Sequence, residues 1–132
     1  MICLDTTFLI DLLRGQEDAA RLSLELDSEP ILFTTEINVF EVVLGIFSNQ
    51  KINQSKDFER AQRLFKTLKI LSLDHKASVE AGRLAGSLIA KGKQIDDNDC
   101  MTAAIAMTNG IGVIVTRNER HYMETGMHVR TY

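Results

Sequence analysis

Apolar and polar residues follow two different patterns along this chain. Short apolar runs bounded by polar residues, glycine or proline are typical of buried strands. They cover residues 2–5, 31–33, 70–73, 111–116 and 129–131. Between these runs, apolar residues recur every three or four positions, which is typical of amphipathic helices. The helical segments cover residues 7–14, 17–26, 35–47, 55–68, 75–91, 97–107 and 119–123.

Strands that are separated by helices predict a parallel sheet covered on both faces. We therefore expect a helix-rich, three-layer α/β/α fold of Rossmann-like type, with about five strands in a central parallel sheet. The 132 residues suffice for a single domain, residues 1–132, with one core. Right-handed crossovers bring the carboxyl ends of all strands to one edge. Ligands bind at that edge in open α/β sheets.

Several helix boundaries are marked by residues that suit helix ends. Thr34 or Thr35 is expected to cap the helix after the second strand, and Asp74 the helix after the third. Gly15 and Gly92 follow the last helical residues, where glycine is favoured. These boundaries support the alternation of strands and helices.

Composition and charge narrow the class of protein. Hydrophobic residues make up 45% of the chain and charged residues 25%, as in ordinary globular domains. The net charge of −3 argues against a surface built for broad nucleic-acid adhesion. No apolar stretch reaches the roughly twenty residues of a membrane span, and Asp5 interrupts the only candidate signal segment. We therefore expect a cytoplasmic protein that does not contact membranes.

The cysteines and histidines carry little chemistry of their own. Cys3 and Cys100 are the only cysteines, and we interpret them as buried thiols rather than a disulfide. The two cysteines and three histidines lack zinc-ligand spacing. His121 is interpreted as a surface histidine, with a phosphate contact as the alternative.

Four acidic or amide side chains fall at the predicted ligand edge of the sheet: Asp5, Glu41, Asp99 and Asn118. Taken singly, the acids have ordinary explanations. Asp5 is suited to cap a helix, Asp99 to lie in a first helical turn, and Glu41 to form a buried salt bridge with an arginine. Their convergence on one edge instead favours a common site.

Three like charges in one cleft repel each other, and a divalent cation removes this conflict. Oxygen ligands favour Mg²⁺ or Mn²⁺ over zinc. Such an ion activates water and stabilises charge on a phosphodiester. Thr7 and Thr116 would hold a carboxylate or orient a water, although for isolated threonines a helix cap and a strand end are the more ordinary explanations.

Four blocks of sequence, in order along the whole chain, resemble the PIN domain family. The first runs over residues 4–15 and carries Asp5, and the second over residues 35–41 and ends at Glu41. The third, residues 92–106, carries Asp99, and the fourth is residues 115–122. The closest pattern is that of VapC-type toxins of toxin–antitoxin pairs.

This resemblance implies a Mg²⁺- or Mn²⁺-dependent endoribonuclease that forms a homodimer and binds a small antitoxin protein. It implies Asp5, Glu41 and Asp99 as metal ligands. Many PIN domains carry an aspartate where this chain has Asn118, which leaves one charge fewer; Asp96 is expected to assist from the same loop.

Basic and apolar residues are candidates for contacts with RNA and protein partners. The basic residues near the predicted edge are Arg14, Lys91, Lys93, Arg117 and Arg120, each of which is also explained as a solvated surface charge. The apolar residues of the helix after the second strand, Phe40, Val43, Leu44 and Phe47, exceed what one buried face needs. They would form a surface for the homodimer or the antitoxin, or would belong to the core.

Three other functions are compatible with this fold. In a phospho-acceptor receiver, Asp74 would be the acceptor, but the expected acid pair after the first strand is missing. A phosphatase with an aspartate nucleophile would need a second acid where Thr7 stands. A catalytically silent module that binds RNA or protein remains open because of Asn118. No glycine-rich phosphate-binding motif is present.

Overall fold

The computed structural model describes residues 1–132, in which five strands alternate with seven helices. The strands are β1 (Ile2–Leu4), β2 (Leu32–Thr35), β3 (Lys69–Leu71), β4 (Val113–Val115) and β5 (His128–Arg130). The helices are α1 (Thr6–Leu13), α2 (Glu17–Leu26), α3 (Glu36–Ser48), α4 (Gln54–Phe65), α5 (His75–Ala90), α6 (Asp97–Thr108) and α7 (Glu119–Met123). Every predicted element is present, and the boundaries differ by a few residues at most.

All five strands are parallel and lie in the order β3-β2-β1-β4-β5. β2 and β3 lie on one side of the central strand β1, and β4 and β5 lie on its other side. The strand order therefore reverses between β1 and β4, where open α/β sheets form their ligand-binding crevice. Asp5 follows β1 and Thr116 follows β4, so both lie at this crevice.

The central strand sends its side chains to both faces of the sheet, as the pleat requires. Ile2 and Leu4 pack with residues of α1 to α4 in one core. Cys3 packs in a second core with Ile114 and with residues of α6 and α7, including Tyr122. The α/β/α arrangement predicted from the sequence is confirmed.

The predicted caps and free thiols are also found. Thr35 caps α3 in a reciprocal arrangement with Asn38, and Asp74 caps α5 by accepting from the Ala77 N–H at 2.8 Å. Cys3 and Cys100 are buried and unpaired. None of the helices combines the length and hydrophobicity that a membrane span requires.

Candidate active site

Asp5 lies at the centre of the crevice and is almost completely buried, with 1% of its surface exposed. Its Oδ2 accepts hydrogen bonds from Thr116 Oγ1 at 2.6 Å and Thr7 Oγ1 at 3.2 Å. Its Oδ1 accepts from Asn38 Nδ2 at 3.2 Å and from the Tyr122 hydroxyl at 2.9 Å. Although Asp5 occupies the N-cap position of α1, its carboxylate makes no capping bond. The helix-cap explanation of this residue is therefore wrong.

Asp99, in the first turn of α6, faces the same crevice rather than solvent. Its Oδ2 lies 2.6 Å from His121 Nδ1, and its Oδ1 accepts from the Tyr122 hydroxyl at 3.2 Å. Burial raises the pKa of Asp99 and the Asp5 charge adds to this, whereas hydrogen bonds from His121 and Tyr122 oppose it. His121 is thus a contact of the site, and its interpretation as a plain surface residue is wrong.

Glu41, on the second turn of α3, is half-buried at the rim of the crevice. Its Oε1 accepts from Thr6 Oγ1 at 2.7 Å, and its Oε2 from Asn98 Nδ2 at 3.4 Å. No arginine contacts it, so the buried salt bridge is not formed. Burial raises the pKa of Glu41, and the charges of Asp5 and Asp99 act in the same direction.

Asn38 connects these acids and was not predicted from the sequence. Its Oδ1 accepts from the Thr35 hydroxyl at 2.7 Å, which orients the amide. Its Nδ2 then donates to Asp5 Oδ1 and, at 3.0 Å, to Thr6 Oγ1, the donor to Glu41. The spacing of Thr35 and Asn38 indicates a helix cap, but nothing in the sequence indicates that the amide's other end reaches Asp5.

Tyr122 is the second residue that sequence reasoning missed. Its hydroxyl lies between Asp5 and Asp99, and its side chain is fully buried. Burial, and then the charges of the two aspartates, raises the pKa of Tyr122 well above its ordinary value. The phenol is therefore protonated and acts as a hydrogen-bond donor at neutral pH.

Asn118 and Asp96 lie at the edge of the site without bonding to its acids. The Asn118 side chain is exposed and makes no capping bond to α7, while its backbone N–H donates to Thr116 Oγ1 at 2.9 Å. Asp96 is exposed and caps α6 by accepting from the Asn98 N–H at 3.2 Å. Their assisting roles stay predictions.

Arg117, a predicted RNA contact, is held within the protein. Its Nε lies 2.8 Å from Asp11 Oδ2 on α1, and its guanidinium lies 5.0 Å from the centre of the Tyr132 ring. Its backbone N–H donates to Thr7 Oγ1 at 3.0 Å. These contacts fasten the β4–α7 loop, which also carries Thr116, against α1.

The other basic residues differ in whether they form ion pairs. Lys93 lies 3.4 Å from Glu124 in an exposed ion pair. Arg14 and Arg120 are exposed and form no ion pair. Lys91 is likewise exposed and without an ion pair. Arg14 is the C-cap of α1, at the end of that helix away from Asp5, so its predicted place at the ligand edge is wrong.

The donor set of the crevice fits a hard divalent cation held with water. All three acids offer oxygen, which favours Mg²⁺ or Mn²⁺ over zinc. No three acidic, histidine or cysteine side chains lie close enough to form a ready-made metal cluster. Mg²⁺ is commonly held by only one or two carboxylates and keeps several waters. Asp5 and Asp99, which contact the same phenol oxygen, would supply those two carboxylates, with Glu41 at the side.

Apolar side chains of α3 remain uncovered outside the core. Phe40, Leu44 and Phe47 are each at least half exposed, and they are spaced to lie along one side of the helix. Val43 instead packs partly against the core. Next to this stripe, a groove between α1, α3 and α4 is lined by apolar residues such as Ile10 and Ile46 and also by Arg14, Asp57 and Arg60.

Comparison with known proteins agrees with the fold. The PIN domain family model matches residues 2–123. Since this is most of the chain, the protein belongs to the PIN domain family, which is a family of nucleases. The predicted resemblance is therefore confirmed. No curated protein matches the chain in sequence.

Solved structures show the same architecture at low sequence identity. VapBC2 from Rickettsia felis, bound to a promoter DNA fragment, superposes with a TM-score of 0.87 and 18% identity, covering 100% of this chain and 99% of that one. DNA-bound VapBC from Salmonella typhimurium gives 0.85 and 21%, covering 98% and 96%. FitAcB from Neisseria gonorrhoeae gives 0.79 and 25%, also covering 98% and 96%.

Proposed function

We propose that this protein is a Mg²⁺- or Mn²⁺-dependent endoribonuclease, the VapC-type toxin of a toxin–antitoxin pair. The proposal rests on one observation: in the crevice between β1 and β4, Asp5 and Asp99 both contact the hydroxyl oxygen of Tyr122. Burial and mutual repulsion raise the pKa of Glu41 and of Asp99, and apart from His121 at Asp99 this cluster lacks a positive partner. A divalent cation supplies that partner.

We assign different roles in phosphodiester hydrolysis to the residues of the crevice. Asp5 and Asp99 would hold the cation, and Thr116 and Thr7 hold Asp5 in place through its Oδ2. The bound cation lowers the pKa of water and stabilises the charge that develops on the phosphate. Glu41, at the rim, would bind the cation through a water and accept a proton from the attacking water.

RNA is the proposed substrate because the four sequence blocks resemble VapC-type ribonucleases. Of the basic residues predicted to contact RNA, Arg120 forms no ion pair and precedes His121, which contacts Asp99, so Arg120 is free to contact a phosphate at the site. Arg117 acts in the protein's own structure, through Asp11. The net charge of −3 favours binding of one phosphate at the site over broad adhesion to nucleic acid.

The apolar surface of α3 is proposed to serve protein partners. The similar structures from Rickettsia felis and Salmonella typhimurium are VapBC complexes. We assign the groove between α1, α3 and α4 to an apolar segment of a small antitoxin protein, and the stripe of Phe40, Leu44 and Phe47 to a homodimer. Light scattering should then give twice the monomer mass, and replacing Phe40 and Leu44 by serine should reduce the measured mass to that of one monomer.

RNA cleavage by the purified protein tests the proposed activity. Wild-type protein should cut RNA with Mg²⁺ and stop when EDTA is added, and Asp5→Asn should be inactive. Asp74→Asn is a matched control, because Asp74 follows the edge strand β3 and asparagine caps helices equally well. It should retain full activity.

The same variants separate the alternatives. Full RNA cleavage by Asp5→Asn would contradict the nuclease assignment. RNA binding without cleavage by the wild type would favour a silent binding module instead. Phosphorylation of Asp74 by acetyl phosphate would favour a receiver. In the host, expression should arrest growth only when Asp5 is intact, and mapping the cut RNA ends would then identify the target.

A further inference from the structure

We propose that Tyr122 is a positioning residue, which fixes the separation of Asp5 and Asp99 and thereby sets the affinity of the site for its divalent cation. The inference rests on the proposed function, since it assumes that both aspartates hold the cation. Its basis is that one phenol oxygen lies 2.9 Å from Asp5 Oδ1 and 3.2 Å from Asp99 Oδ1.

The position of this hydroxyl is fixed by the packing of the ring. Tyr122 is fully buried and belongs to the core formed with Cys3, Ile114 and small residues of α6 such as Ala103. Cys3 lies on the strand that leads to Asp5, and Ala103 lies one turn after Asp99. The ring therefore contacts both elements that carry the two aspartates, while its hydroxyl contacts the aspartates themselves.

A single hydroxyl proton cannot satisfy both carboxylates at once. A phenol has one hydrogen to donate. The two carboxylate oxygens on either side of the hydroxyl therefore compete for one donor, and the oxygen that does not receive the hydrogen faces a lone pair of the phenol. The arrangement keeps the two acids near each other without neutralising them.

The two aspartates depend on Tyr122 to different degrees. Asp5 keeps three other donors, namely Thr116, Thr7 and Asn38, if the hydroxyl is removed. Asp99 keeps only His121, whose side chain is one-third exposed. Loss of the hydroxyl should therefore release Asp99 and leave Asp5 in place.

Calorimetric titration with Mn²⁺ tests this role in the metal-free full-length protein. Tyr122→Phe keeps the ring and removes only the hydroxyl, and it should weaken Mn²⁺ binding about tenfold, the lower range for loss of a group that orients a metal ligand. Tyr132→Phe is the matched control, because Tyr132 also donates to an aspartate, Asp11, outside the site. Its Mn²⁺ affinity should equal that of the wild type.

A measurement on the wild-type protein avoids any effect of the variant on folding. The chain has only two tyrosines, so tyrosine labelled with carbon-13 at Cζ gives two resonances, which Tyr132→Phe assigns. Addition of Mg²⁺ should shift the Tyr122 resonance and leave that of Tyr132 unchanged. A tyrosine that served only to fill the core would not respond in this way.

The outcomes distinguish this inference from the proposed function. If the wild type binds Mn²⁺ but Tyr122→Phe binds it equally tightly, or if Mg²⁺ leaves the Tyr122 resonance unmoved, the positioning role is wrong and the metal site stands. If the wild type binds no Mn²⁺, the proposed function itself is overturned, and this inference with it. Melting curves in EDTA show whether Tyr122→Phe is folded. If the variant is unfolded, the Tyr122 resonance of the wild-type protein decides whether the positioning role stands.

Discussion

Replacing Asp5 by asparagine removes one charge from the centre of the site and keeps the shape of the side chain. Four groups donate to Asp5: two threonine hydroxyls, the Tyr122 hydroxyl and the amide of Asn38. The hydroxyls of Thr116 and Thr7 can rotate and accept from the new amide, whereas the Asn38 amide cannot. The variant should therefore fold with its oxygen toward Asn38.

Two opposing effects on the free energy of unfolding nearly cancel in the metal-free protein. Hydrogen bonds to a charged acceptor contribute about 1.5–3 kcal/mol each and neutral ones about 0.5–1.5, so weakening four bonds costs about 4 kcal/mol. The shared phenol oxygen places Asp5 Oδ1 and Asp99 Oδ1 no more than about 6 Å apart, where two charges repel by about 3 kcal/mol at an effective dielectric constant of about 20. Glu41 adds further repulsion. We expect Asp5→Asn to change stability by less than about 2 kcal/mol.

Thermal unfolding with and without Mg²⁺ provides the assay. A ligand present at about 100 times its dissociation constant stabilises the folded state by about 2.7 kcal/mol. For a domain of this size, that raises the melting temperature by roughly 10 °C. Wild-type protein should show this rise and Asp5→Asn should not. The reasoning is refuted if both proteins gain equally from Mg²⁺, or if the variant is unfolded in EDTA.

Three further substitutions test parts of the site. Thr116→Val removes one of the two donors to Asp5 Oδ2 and leaves the Asn118 N–H without its acceptor, so chemical denaturation should show a loss of about 1–3 kcal/mol; an unchanged midpoint would contradict these bonds. Because burial raises the pKa of Asp99, the folded protein holds this proton more tightly than the unfolded chain, and the resulting stability is lost as pH rises through the raised value. In EDTA, wild type should therefore gain stability relative to Asp99→Asn as the pH falls from about 7 toward about 4, and parallel pH profiles would argue against it. Arg117→Ala breaks the half-exposed pair with Asp11, so denaturation should show a loss of about 1 kcal/mol at most, with RNA affinity unchanged; a large drop in RNA affinity would make Arg117 a substrate contact.

The sequence predicts the layers of this fold because its signals are local. Strand-like runs and helical periodicity do not depend on distant contacts, so β1, α2 and α7 are found where expected. The strand order is not local, since nothing in β4 indicates that it pairs with β1. The reversal between these two strands, which creates the crevice, is therefore visible only in the structure.

The same distinction explains which site residues could be predicted. Asp5 and Asp99 were found because an acid at a strand end or in a first helical turn has a recognisable position. Tyr122 and His121 lie on a short helix, and they reach the acids only because β4 places that helix beside α6. From the sequence, an aromatic residue at such a position cannot be distinguished from an ordinary core residue. The ring of Tyr122 is in fact part of the core. Only the tertiary contacts of its hydroxyl with Asp5 and Asp99 make Tyr122 part of the site.

The central claim is that Asp5 and Asp99 together hold one divalent cation. Anomalous diffraction at the manganese edge, from crystals grown with Mn²⁺, locates such an ion directly. We predict one strong peak within bonding distance of an oxygen of each aspartate, with waters completing its coordination. A map without a peak in the crevice between β1 and β4, or with its main peak at other acids, would contradict the account.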